Sequence, residues 1–112
     1  KPMFLNNPDP AIFMSKWVYQ YLKYPEQAVK EGIQGVVQVS FVIEKNGSVS
    51  NVKVFRGIDP LLDDEAVRVV SASPKWRPAR VRGEKVRSTM TIGVEFRLAR
   101  KGGKRRFGIN GY

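Results

Sequence analysis

Apolar and polar side chains alternate along three segments of this chain, and a period of two predicts β-strands. The first covers residues 36–44 and the second residues 49–56. The pair Asn46-Gly47 lies between them and predicts a hairpin turn, because both residues tolerate positive φ. The third covers residues 86–98 and would span roughly 40 Å at about 3.3 Å per residue. A strand of that length without proline is a candidate for an exposed sheet edge.

Apolar residues spaced by three or four positions predict three helices. Two of them begin with an aspartate followed by proline, at Asp9-Pro10 and Asp59-Pro60, a typical N-cap and first helical position. The first helix has an aromatic stripe, interpreted as core, and the third has an apolar stripe of its own. A short helix follows Pro25 and ends at Gly32. The two stripes are Phe13, Trp17 and Tyr21, and Leu62, Ala66, Val69 and Val70.

This order of elements predicts an α+β fold with a three-stranded antiparallel sheet. The first strand lies between the other two, giving the order 2-1-3, and the helices cover one face. The third strand is then an edge. The chain divides into an extended entry segment (residues 1–9), one domain (10–98) and a basic, glycine-rich tail (99–112) predicted to be flexible.

Net charge and missing residue types limit the chemistry. Half of the +10 charge lies in the tail, since the chain up to Ala99 has 15 basic and 10 acidic residues. Cysteine and histidine are absent, so we expect no enzymatic activity, metal site or cofactor. The acids around Asp59 and Asp63 are interpreted as helix-start residues. The basic stretch from Lys75 to Arg87 surrounds Trp76 and keeps open a polyanion- or nucleic-acid-binding interpretation.

A set of short segments stands in a definite order and spacing along residues 10–98. They are Tyr24-Pro25-Glu26-Gln27-Ala28, Gly32-Ile33-Gln34-Gly35, the strand residues Val37, Val39, Phe41 and Val42, Asn46-Gly47-Ser48-Val49, Val52-Lys53-Val54, Arg56-Gly57, Asp59-Pro60, Leu62-Asp63, Glu65 to Val70, Pro74-Lys75-Trp76-Arg77-Pro78, Gly83 and Phe96-Arg97-Leu98. Together these segments resemble the C-terminal domain of the TonB family of energy transducers, especially Bacteroides-type members. The tail is longer than in typical members of that family.

The resemblance implies a periplasmic domain connected to an inner-membrane helix that this chain lacks; the chain begins with Lys1 and is expected to be part of a longer protein. It implies two partners, an inner-membrane proton-channel motor and outer-membrane transporters, whose TonB box adds as a strand beside the last strand. The transporter would also contact the turn Lys23, Tyr24 and Pro25. The residues implied at the strand are Thr89, Met90, Thr91, Ile92, Gly93, Val94, Glu95 and Phe96.

Three functional classes follow from the sequence. The first is a force-transmitting adaptor of the TonB type. The second is the same domain used as a periplasmic interaction module in a membrane sensor or peptidase. The third is a polyanion-binding module, for which affinity would fall steeply with salt; the first two predict no nucleic-acid partner. An exposed last strand could also pair with its own copy and give a homodimer.

Overall fold

The computed structural model describes the backbone of residues 1–101 and 104–108 and the side chains as far as Ala99. The helical elements are α1 (Pro10–Phe13), a π-helical turn (Met14–Val18), α2 (Tyr19–Tyr21), α3 (Glu26–Glu31) and α4 (Pro60–Ser71). The strands are β1 (Gly35–Ile43), β2 (Val49–Arg56), β3 (Ala79–Val81), β4 (Glu84–Val86), β5 (Ser88–Lys101) and β6 (Lys104–Gly108).

The main sheet has the order β2-β1-β5-β6. Strand β1 pairs antiparallel with β2 on one side and with β5 on the other, where the register runs without a break from Gly35 opposite Phe96 to Ile43 opposite Ser88. The predicted α+β class and the order 2-1-3 of the first three strands are therefore confirmed, with β5 as the third strand.

The core lies between the sheet and the helices. The inward face of β1 is fully buried, as is most of the inward face of β5 and of α4, so the predicted strand faces and the α4 stripe are correct. Trp76 joins this core through ring contacts with Phe4, Phe13 and Phe41 at centroid distances of 4.8–6.0 Å. Phe4 brings the entry segment into the core, and Met3 pairs with Arg77 through two backbone hydrogen bonds.

The first helical segment differs from the predicted regular helix. The N–H of Tyr19 bonds to the carbonyl of Met14, five residues earlier, which makes a π turn. That extra residue shifts the buried positions to Phe13 and Val18. The aromatic stripe is therefore wrong as a core prediction at Tyr21, which is 47% exposed, and Trp17 is only partly buried.

The strand boundaries differ at two turns. The first hairpin turns at Asn46-Gly47 as predicted, but a hydrogen bond from the N–H of Glu44 to the carbonyl of Ser48 encloses three residues, of which Gly47 alone has positive φ. The predicted third strand began at Val86, whereas the structure assigns Val86 to β4. Strands β3 and β4 form a separate hairpin whose two turn residues, Arg82 and Gly83, both have positive φ, as a type I′ turn requires.

The tail contains a strand that the sequence pattern did not indicate. Strand β6 pairs antiparallel with the end of β5, from Arg97 opposite Gly108 to Lys101 opposite Lys104. Residues 102–103 and 109–112 lie outside the described residues. Flexibility of the tail therefore stays a prediction, and the described part extends the sheet beyond the predicted domain end at Leu98.

Candidate functional site

Strand β5 has one edge paired with β1 and, in the described part of the chain, no strand on its other side between Ser88 and Phe96. We call this second side the outer edge. Strand β6 lies on the same side but reaches only Arg97–Lys101. The outer edge is thus a stretch of open strand that ends at a short hairpin. It contains all eight residues that the sequence predicted for strand addition.

Hydrogen bonds at the end of β5 show which residues face the outer edge. Successive residues of a strand direct their N–H and C=O groups to opposite edges. The N–H of Leu98 donates to the side chain of Gln34, on the β1 side, at 3.0 Å. Even-numbered residues therefore face β1. The odd-numbered residues present their backbone groups at the outer edge; they are Thr89, Thr91, Gly93 and Glu95.

The other four predicted residues contribute differently. Their backbone groups face β1, and their side chains extend into the core, where Ile92, Val94 and Phe96 are buried and Met90 is half-buried. The predicted set thus separates into residues that can pair with a partner and residues that anchor the strand.

One contact at the outer edge was missed by the sequence reasoning. The hydroxyl of Tyr19 accepts a hydrogen bond from the N–H of Glu95 at 3.1 Å and donates to the carbonyl of Gly93 at 3.5 Å. Tyr19 lies 74 and 76 positions from these two residues in sequence, and its direction is set by the π turn. No local sequence signal could have identified this pair.

The predicted transporter-contact turn is positioned by core packing and by α4. Tyr24 is 7% exposed, packs edge-on against Phe96 at 5.4 Å and donates its hydroxyl to the carbonyl of Ile33. Its ring therefore packs against the core-facing side of β5, through Phe96. Lys23 is exposed and Pro25 is half-buried, so these two residues form the accessible surface of the turn.

Two charged residues of α4 hold this turn in place. The carboxylate of Glu65 accepts from the backbone N–H of Lys23 at 2.7 Å and from the guanidinium of Arg68 at 2.7 Å. Arg68 also donates to the carbonyl of Tyr21 at 3.1 Å. Hydrogen bonding to Glu65 raises the pKa of Arg68 above its ordinary value. This pair fixes the end of α2 to α4.

A second ion pair lies at the opposite end of the sheet. Glu44, just after β1, accepts from Arg87, just before β5, at 2.6 Å, and it also accepts from the hydroxyl of Ser50 in β2. The hydrogen bond from Arg87, followed by that from Ser50, holds the pKa of Glu44 below its ordinary value. The pair fixes the point at which the open strand begins.

The basic residues proposed for polyanion binding do share a surface. Lys75, Arg77, Arg80 and Lys85 line a groove of about 440 Å³ beside the entry segment. Trp76, however, is 5% exposed and directs its indole N–H to the hydroxyl of Ser73, so its ring is not free to stack on a base. The groove offers charge without an exposed aromatic platform.

The acidic cluster has structural partners, as the helix-start interpretation expects. Asp59 caps α4 by accepting from the N–H of Leu61, and Asp63 accepts from the N–H of Ile58. Over the residues that the structure describes, no group of three or more acidic, histidine or cysteine side chains could hold a metal ion. No helix in that same part has the length and apolar character needed to cross a bilayer.

Comparisons with known proteins agree with this geometry. Residues 20–98 match the family model described as the Gram-negative bacterial TonB protein C-terminal. Two NMR solution structures of the Helicobacter pylori TonB C-terminal domain match with a TM-score of 0.54 and 25% sequence identity. Both matches cover 78% of this chain, and they cover 80% and 94% of the respective solved chains. None of the curated protein sequences matches significantly. The narrower likeness to Bacteroides-type members stays a prediction.

Proposed function

This chain belongs to the family of Gram-negative bacterial TonB C-terminal domains, and we propose that it is the periplasmic domain of an energy transducer. In this role it binds the TonB box of outer-membrane transporters by strand addition. It then transmits a pull that originates in an inner-membrane proton-channel motor, through an N-terminal anchor outside this chain. The proposal involves no catalytic step and no cofactor.

The observation that supports the proposal most directly is the outer edge of β5. Between Ser88 and Phe96 it has no strand partner among the described residues. Unpaired backbone donors and acceptors at an edge are the groups that an added strand uses. Thr89 to Phe96 are the proposed binding residues, with Thr89, Thr91, Gly93 and Glu95 supplying the backbone hydrogen bonds.

Backbone pairing suits a domain that must serve several transporters. Main-chain hydrogen bonds do not distinguish between side chains, so one edge can accept many sequences. Each bond contributes only about 1 kcal/mol net, so the complex is expected to be weak at rest. A pull along the strand direction loads these bonds in parallel, and we expect resistance to force to exceed what the affinity suggests.

A second contact involves the turn Lys23, Tyr24 and Pro25. Lys23 is exposed and Pro25 partly so, while Tyr24 acts from beneath by packing against Phe96. A transporter held at both the outer edge and this turn would contact two elements joined through the core. We propose Lys23 and Pro25 as surface contacts and Tyr24 as a positioning residue.

The proposal is tested by titrating isotope-labelled protein with eight-residue TonB-box peptides, taken from the N-terminal segments of transporters in the same genome. Backbone amide shifts are recorded at two salt concentrations, with a single-stranded DNA oligomer as the comparison ligand. Shifts confined to the amides of residues 89–96, Lys23 and Tyr24, persisting at high salt, are expected. Shifts only with the oligomer, located at residues 75–87 and lost with salt, would instead identify a polyanion-binding module.

The same titration does not distinguish a transducer from a membrane sensor that carries this domain, so the parent protein supplies the second test. A single membrane helix followed by a proline-rich spacer is expected for a transducer. Several membrane helices with a zinc-binding motif would identify a sensor or peptidase. Sedimentation over a range of protein concentrations tests whether two copies of the chain associate.

A further inference from the structure

The contact between Tyr19 and the outer edge occupies backbone groups that strand addition needs. The phenol hydroxyl bridges the carbonyl of Gly93 and the N–H of Glu95, acting as donor to one and acceptor from the other. An added strand in either orientation needs those two groups, because both belong to odd-numbered residues facing outward. The hydroxyl therefore imitates one rung of a partner strand.

The fold holds Tyr19 in this position by the π turn. The bond from the N–H of Tyr19 to the carbonyl of Met14 spans five residues, so Tyr19 is rotated by about one residue relative to a regular helix. Val18 is thereby turned into the core and Tyr19 toward β5. The indole N–H of Trp17 donates to the carbonyl of Val69 at 2.8 Å and fixes this segment against α4. Releasing the hydroxyl therefore needs a side-chain rotation and no movement of the helix.

We propose that Tyr19 is a displaceable cap on the outer edge: its hydroxyl occupies the Gly93 and Glu95 rung in the free protein and must leave before a transporter segment can pair beyond Thr91. This inference rests on the proposed function, since it concerns how the same edge is opened. With the cap in place, the outward groups that Tyr19 leaves uncovered are those of Thr89 and Thr91, the N–H of Gly93 and the carbonyl of Glu95. With the cap released, pairing extends to Glu95, next to the residues covered by β6.

The cap also protects the free protein. An open edge pairs readily with other edges, and proteins commonly cover such edges to prevent association. A single hydroxyl near the β6 end of the open stretch shortens the longest uncovered run without closing the edge permanently. Capping lowers the apparent affinity for an added strand, because only the uncapped fraction of the molecules can bind it.

The test compares Tyr19→Phe with Tyr21→Phe. Each variant loses one phenol hydroxyl from α2, but the hydroxyl of Tyr21 bonds to no residue that the structure describes, and its ring packs on Trp17. In the free proteins, hydrogen exchange of the Glu95 amide is expected to accelerate in Tyr19→Phe and to stay at the parent rate in Tyr21→Phe. This measurement needs no partner.

The second measurement is the affinity of the TonB-box peptides for the parent and both variants. Loss of two hydrogen bonds that compete with the peptide is expected to tighten binding about 5- to 30-fold in Tyr19→Phe. Binding to Tyr21→Phe is expected to equal that of the parent. Amide shifts in Tyr19→Phe should reach Glu95 at lower peptide concentrations than in the parent.

Two outcomes would overturn the cap, and they differ from each other. If the peptides bind all three proteins equally, Tyr19 does not compete with the added strand, while the proposed function stands. If the peptides bind none of the three, strand addition itself fails, and the competition fails with it; accelerated exchange at Glu95 would then describe a structural hydrogen bond only.

Discussion

Gly47 and Trp76 lie backbone to backbone across two loops. The N–H of Trp76 donates to the carbonyl of Gly47 at 2.8 Å, and a Cβ atom at Gly47 would fall 2.1 Å from the carbonyl oxygen of Trp76. The first hairpin turn therefore fits directly against the segment that places the buried indole. Glycine is required here twice over, by the contact and by a φ of +87°.

Replacing Gly47 with alanine is expected to lower the free energy of unfolding by about 3 kcal/mol or more, since the left-handed conformation alone costs about 1–2 kcal/mol and the contact with backbone adds to it. Gly83→Ala is the matched control, with a φ of +81° and nothing within 4 Å of the added Cβ. It should cost only about 1–2 kcal/mol. Urea denaturation measures both, and equal losses would mean that the contact with Trp76 contributes nothing.

Proline in β5 tests the outer edge. Thr91→Pro removes an N–H that faces outward, so we expect peptide affinity to fall at least about tenfold while the pairing with β1 remains. Thr91 is a better site than Gly93, where an added Cβ would come within 3.0 Å of Val36. Ile92→Pro removes an N–H that faces β1 and is expected to lower the melting temperature much further.

The result that would contradict strand addition is a folded Thr91→Pro variant that binds the peptides as tightly as the parent. Circular dichroism of that variant before the titration establishes that the helices are intact. Isothermal titration then gives the affinity. A loss of binding together with a loss of fold in Ile92→Pro supplies the reference for a disrupted sheet.

Sequence reasoning predicted the parts of this fold that local pattern determines. The period of two placed β1 and β2 to within one residue, and the caps Asp9 and Asp59 marked the helix starts correctly. The sheet order followed from connection rules. The strands and caps depend on residues close together in sequence, and the sheet order depends on general rules for connecting such elements, which is why a single sequence was enough.

The misses have two physical causes. The π turn is invisible in the sequence pattern because its benefit comes from burying Val18 and directing Tyr19 to a strand more than 70 residues away. The β3–β4 hairpin was missed because Arg82, not a usual turn residue, adopts positive φ beside Gly83. The candidate edge was located from the sequence, whereas the hydroxyl of Tyr19, which contacts the edge at Gly93 and Glu95, was not.

The contact of Glu65 with the turn at Lys23 gives a further prediction. Glu65→Ala removes the acceptor of the Lys23 N–H and one partner of Arg68, and the carboxylate side chain is only 11% exposed. We expect the free energy of unfolding to fall by about 1–3 kcal/mol. Asp64→Ala, at an exposed neighbor in α4, should change it by less than about 0.5 kcal/mol.

Peptide affinity of Glu65→Ala then tests whether the turn contributes to binding. A weaker complex is expected, in which the peptide no longer shifts the amides of Lys23 and Tyr24 but still shifts those of residues 89–96. An unchanged affinity in a variant whose turn signals have moved would exclude this turn from the binding surface. Chemical shifts and stability are both read from the same labelled samples.

The ion pair between Glu44 and Arg87 predicts that stability depends on pH. The pKa of Glu44 is lowered in the folded protein, first by the hydrogen bond from Arg87 and then by Ser50, relative to an ordinary value of 4.5. The unfolded chain therefore binds the proton more readily, so this contribution is present above pH 4.5 and is lost as pH falls below it. Glu44→Gln should be less stable than the parent at pH 7, and the difference should shrink by pH 3. Glu84→Gln, at an exposed position in β4, is the reference, because Glu84 forms no ion pair with any side chain that the structure describes. Denaturant curves at pH 7, 5 and 3 give the free energy of unfolding of each variant. If the difference between Glu44→Gln and the parent stays constant across this range, the ion pair does not contribute to the pH dependence of stability.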